Sequence, residues 1–169
     1  MIKNTYNLND MFLKNQLTLP KNIETNISFH LNNSIHLNNH ISFIIDKSSQ
    51  TILAYGFNYY LKSDKFPFSL HSEINTINKY YKKRITKSNL KSKKILLIFK
   101  ISKTGVIGHS RPCQNCVNFI LNNYDNMNIN KIYYSNKNNQ LEELNKENLL
   151  NENFTISSGF KKRYRGCKI

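Results

Sequence analysis

Apolar residues recur along the chain in two periods, and the switches between them predict its elements. Ile23, Ile27 and Leu31 stand four apart, which places them on one face of a helix over residues 21–35. Two runs rich in β-branched and aromatic residues follow, 41–46 and 51–55, separated by the turn-prone stretch 47–50. They read as an antiparallel hairpin. Leu70, Ile74, Ile77 and Tyr81 are spaced by four, three and four, the pattern of an amphipathic helix over 70–83 with His71 and Glu73 in its first turn. The unbroken apolar run 95–99 predicts a central strand buried on both faces. Gly105 and Gly108 break the chain before Pro112, which suits the first turn of a helix over 113–123 burying Cys116, Val117, Ile120 and Leu121. A short strand, 132–134, comes after it.

The order helix, two strands, helix, strand, helix, strand argues for an α/β sandwich with helices on both faces of one sheet. With 169 residues, one compact domain is expected. It spans 21–150, preceded by an arm or short helix over 1–20 and followed by a basic tail over 151–169.

Composition narrows the class. A hydrophobic fraction of 39% supports a packed core rather than disorder. No run of about 18 apolar residues and no secretory pattern is found, so a soluble intracellular protein, cytoplasmic or nuclear and without membrane contact, is expected. Cys113, Cys116 and Cys167 are then best taken as reduced thiols. Lys and Arg number 25 against 10 Asp and Glu, a net +15 that attracts polyanions: nucleic acid, a nucleotide phosphate or an acidic partner. The same excess of Lys, Asn and Ile also arises from AT-rich coding without selection for binding.

Cys113-Gln-Asn-Cys116 allows a redox dithiol, half of a zinc ribbon, or two ligands of a mononuclear zinc site. A ribbon needs a second pair, and only Cys167 remains; a redox pair leaves the His71-Ser72-Glu73 segment unexplained. The mononuclear reading takes His71 as the third protein ligand and leaves the fourth tetrahedral position for water. Both ligand segments fall at predicted helix starts, where the dipole favours thiolate. Glu73, two residues after His71, can then accept a proton from water. Hydrolytic removal of an exocyclic amino group from a heteroaromatic base needs such a set.

His71-Ser72-Glu73 with Pro112-Cys113-Gln114-Asn115-Cys116 resembles the H-x-E and P-C-x-x-C signature of the zinc-dependent cytidine deaminase-like superfamily. The resemblance implies a three-layer α/β/α fold with a mixed sheet of about five strands. It further implies a Zn2+ cofactor held by His71, Cys113 and Cys116, and Glu73 as the catalytic proton shuttle. Gly56-Phe57-Asn58 resembles the Gly-x-Asn that many members carry, which makes Asn58 a substrate-binding residue through the sugar. The resemblance implies a nucleobase deaminase acting on a nucleoside or nucleotide, with nucleic acid as a further partner favoured by the basic charge and self-association common among members.

Cys113 follows His71 by 42 positions, more than in compact members, and the excess falls in the Lys-rich stretch 82–94, read as a loop insertion. That loop or Arg111 could meet a phosphate. Tyr59, Tyr60, Phe66 and Phe68, between Asn58 and His71, could stack on a base or cover the core. His30, His36, His40 and His109 have no comparable setting, although His109 is near enough in sequence to line the mouth. From another class, a zinc-stabilised nucleic-acid-binding module without turnover would account for the same ligands, but not for Glu73.

Overall fold

The computed structural model describes residues 19–34, 38–61, 68–83, 91–138 and 140–156. The expectations for 1–18, for most of the Lys-rich stretch, for Phe66, and for the end of the tail with Cys167 lie outside the described residues. In chain order the elements are α1 (Lys21–Asn33), β1 (Asn38–Asp46), β2 (Ile52–Phe57), the paired short strands β3 (Tyr59–Leu61) and β4 (Phe68–Leu70), α2 (Ser72–Lys82), β5 (Lys94–Ser102), β6 (Ile107–Gly108), α3 (Gln114–Tyr124), β7 (Ile129–Ser135), β8 (Leu141–Leu144) and α4 (Lys146–Asn151).

Five strands form a mixed sheet in the order β2-β1-β5-β7-β8, and β6 pairs with β5 off that path. β1 runs antiparallel to β2 and β5, β5 and β7 are parallel, and β8 is antiparallel to β7. A parallel pair needs a crossover, which α3 supplies.

β5 is the central strand that the apolar run predicts. Its alternating side chains sort to two faces. Leu97, Phe99 and Ile101 join Ile41, Phe43 and Ile45 of β1 and Ile23, Ile27 and Leu31 of α1 in one core cluster. Leu96 and Ile98 join Ile44, Ile77, Tyr80, Val117 and Ile120 in the other, beneath α2 and α3. Helices thus pack on both faces, as expected, and each fully buried Leu or Ile there stabilises the fold by about 1.5–3 kcal/mol.

Three expectations are corrected. Pro112 precedes α3 rather than opening it: Cys113 is the residue before the helix, which starts at Gln114. The buried face of α3 accordingly ends on Tyr124, with Leu121 only half-buried. The stripe assigned to α2 holds at Ile77, which is buried, but not at its other positions, Ile74 being only half-buried. Leu70 lies outside the helix and Tyr81 is 42% exposed, while Glu73, Thr76, Ile77 and Tyr80 face inward. Polar residues occupy that stripe because they have partners. The Thr76 and Ser42 hydroxyls lie 2.7 Å apart, and Thr76 Oγ1 donates to the Ser42 carbonyl at 3.1 Å, tying α2 to β1 without an unsatisfied group.

Gly56 permits this close approach. A Cβ there would stand 2.8 Å from Thr76 Oγ1 and 3.0 Å from both Thr76 N and Asn75 Nδ2. Gly56→Ala is therefore expected to push α2 off β2 and lower stability by roughly 1–3 kcal/mol, read as a shift of the urea midpoint. A wild-type midpoint would contradict the contact.

Candidate metal centre

The two sequence motifs converge where α2 and α3 begin. His71 is the extended residue before α2, Cys113 holds the same position before α3, and Cys116 lies buried in the first turn of α3. His71 Nδ1 is 3.2 Å from Cys116 Sγ and 3.5 Å from Cys113 Sγ. The three donor atoms all lie within 4.8 Å of one another, a group that could hold a metal ion.

The loop entering α3 is fastened on both sides. Ser110 Oγ donates to the Ile98 carbonyl at 2.8 Å and accepts from Ser135 N–H at 2.9 Å, which anchors it to β5 and β7. The backbone of Ser110 also donates to the Ser135 carbonyl at 2.8 Å. On the other side, Gln114 N–H donates to the Thr155 carbonyl at 3.0 Å. Arg111 pairs with Glu152 and lies over the Phe154 ring, 4.6 Å from its centroid. The guanidinium suggested above for a phosphate is thus directed to the chain's own 152–154 segment. Both partners of that ion pair are about a third exposed, at 33% and 38%, so it contributes little energy and mainly sets placement.

The donor set fits zinc. Tetrahedral coordination with Zn–S of about 2.3 Å and Zn–N of about 2.0 Å separates nitrogen and sulfur by about 3.5 Å. The His71–Cys113 distance of 3.5 Å matches, and Cys116 at 3.2 Å is slightly closer. The sulfurs share a proton unequally. A hydrogen bond from Cys116 above all, and then one involving His71, pulls the Cys113 thiol down to about 4. Cys116, bonded to that sulfur and buried, is pushed far above the ordinary thiol range. His71 is raised, chiefly by its hydrogen bond to Cys113. A soft cation would displace these protons and satisfy all three groups together.

Glu73 adjoins the trio without belonging to it. Its carboxyl is buried, accepts from Ser72 Oγ at 3.0 Å, and interacts with Cys116, Cys113 and His71. Burial above all raises its pKa, against the opposing pull of its own backbone N–H and of His71. Such a carboxyl keeps a proton to higher pH than an exposed one.

Asn58 sits just past β2 and is fixed by β1. Its Oδ1 accepts from His40 N–H at 2.7 Å, and its backbone N–H donates to the His40 carbonyl at 3.0 Å. Its carbonyl oxygen is therefore committed to the main chain. His40 itself is a neighbour of the site that sequence reasoning missed. Burial first, then Lys100 and His71, push its imidazole down to about 4, so it is neutral at physiological pH. The signal was absent because the pairing spans 18 positions and depends on β1 starting at Asn38. His109 is exposed and edge-on to Tyr134, 5.6 Å between ring centroids.

The fold and site define a class: an α/β protein whose mixed sheet carries helices and whose His71, Cys113 and Cys116 could bind a metal such as zinc. No protein-family model and no curated protein matches this chain. No described helix is long and apolar enough to cross a membrane.

Proposed function

We propose that the protein is a zinc-dependent hydrolase that removes an exocyclic amino group from a nucleobase, cytosine before adenine or guanine, in a nucleoside, nucleotide or polynucleotide. The observation that carries this reading is the Glu73 carboxyl, buried against the donor trio yet additional to it. A site that merely held its metal would have no use for a buried acid there, since burying one costs stability. The likeness of His71-Ser72-Glu73 and Pro112-Cys113-Gln114-Asn115-Cys116 to the deaminase signature supports the same assignment.

Zinc held by His71, Cys113 and Cys116 supplies Lewis acidity that brings the pKa of water near 7. The chain's own residues do the rest. Glu73, with its proton affinity raised by burial, takes one proton from water and gives it to the ring nitrogen, then takes the second from the hydroxyl now on the carbon and gives it to the departing amine. The carbon gains a C=O bond and loses its C–N bond, so each turnover consumes one water and releases one ammonia. The Ser72 hydroxyl, donating at 3.0 Å, orients the carboxyl. Asn58, held against His40, is assigned to the substrate sugar.

Ammonia release tests the reading. Zinc-loaded protein is offered free nucleosides, their monophosphates, single-stranded DNA and tRNA at two ionic strengths, with turnover of at least one cytosine-bearing substrate expected. Silence across the whole panel at full zinc occupancy would overturn it in favour of a binding module.

A further inference from the structure

Beside the metal centre lies a second concavity that the proposed chemistry does not use. It has a volume of about 460 Å³, and its walls come from α1, the end of β2, the β3–β4 hairpin and the outer face of α2. It shares its inner wall with the centre: Leu70 and Asn75 both line it, Leu70 precedes His71, and Asn75 N–H donates to the His71 carbonyl at 3.0 Å.

The chemistry of this cleft is specific. His30 and Phe57 stack in it, ring centroids 3.8 Å apart and 13° from parallel. Tyr59, on the same rim, is 40% exposed. Lys79 and Lys82, one turn apart on α2, supply exposed cations, and Asn78 adds an amide. No carboxylate lines it among the described residues. Flat rings offer stacking to any base, while ammonium groups one helical turn apart match a flexible chain of phosphates. A folded acidic protein would use the lysines but leave the rings without a role. The net charge of +15 works in the same direction by drawing polyanions to the surface.

We propose that this cleft binds single-stranded nucleic acid, bases against the Tyr59 rim and backbone along Lys79 and Lys82. The cleft goes beyond the deaminase reading, and its readout is binding, so either proposal can fail alone. Stacking is sequence-tolerant, so the cleft takes strands of mixed sequence, and its affinity falls with salt.

The test is fluorescence anisotropy of the zinc-loaded full chain with 12-nucleotide oligo-dT and oligo-U labels across a salt series. Both sugars are expected to bind, and a preference for one names the source of the strand. The double variant Lys79→Glu/Lys82→Glu is expected to weaken binding at least about ten-fold and to flatten the log K against log salt slope by about 1.4, from about 0.7 per lost phosphate contact. Tyr59→Ala should lose roughly five-fold or more with the slope retained. Lys137→Glu, at the opposite edge of the sheet beyond β7, should match wild type, and circular dichroism checks that each variant is folded. The inference is overturned if wild type binds neither strand. It is also overturned if Lys137→Glu weakens binding as much as the double variant, or if duplex DNA or poly-glutamate competes as well as the single strand.

Discussion

Cys116→Ala is expected to abolish metal binding and to lower the melting temperature of the zinc-loaded protein by many degrees. Cys116 is fully buried, with its sulfur 3.2 Å from His71 Nδ1, so its loss removes a thiolate ligand and leaves a small void at the root of α3. A site of this composition contributes its binding free energy to folding, about 10 kcal/mol or more in small structural sites. That figure is an upper bound here, because two core clusters hold the sheet independently. The discriminating comparison is therefore with wild type treated with chelator. If the metal is the main term, the two should melt alike, and zinc per chain should fall from near one to near zero. Cys113→Ala, at a half-buried position, should lose the metal as completely but leave the metal-free fold nearer to wild type. Undiminished zinc stoichiometry in either variant would exclude the ligand assignment.

Elements that bury one uniform stripe were readable from the sequence, and those that mix roles were not. α1 shows Ile23, Ile27 and Leu31 at helical spacing because its inward face does nothing but pack, and β5 shows an apolar run because it is covered on both sides. α2 misleads the same reading, since Glu73 and Thr76 turn inward toward the His71, Cys113 and Cys116 cluster and toward Ser42, while Tyr81 points out. Hydrophobicity cannot report a buried polar residue whose partner lies on another strand. The β3–β4 pair and β8 were missed for a different reason: three or four residues are too few to establish a period. The donor trio was legible despite its 42-residue gap, because thiols and imidazole at two helix starts are rare enough to signal chemistry by type alone. His40 carries no such signal, and only the β1–β2 register brings it to the site.

Glu73→Gln separates catalysis from metal holding, and the expected result is a protein with full zinc and a wild-type fold that releases ammonia about 10²–10⁴ times more slowly. Gln keeps the size of the side chain and an oxygen to accept from Ser72 Oγ, now at 3.0 Å from the carboxyl, so packing should survive. What it loses is the capacity to bind and release a proton. A second readout comes from stability. The pKa of Glu73 is raised in the folded state by burial, so the folded protein holds this proton more tightly than the unfolded chain does. Stability of metal-free wild type should then fall as pH rises from about 4.5 through the raised value, and Glu73→Gln should remove that decline. Chemical denaturation at intervals from pH 4.5 upward measures both slopes. Equal slopes would mean that the carboxyl titrates alike folded and unfolded, and undiminished ammonia release would mean that the proton travels by another group.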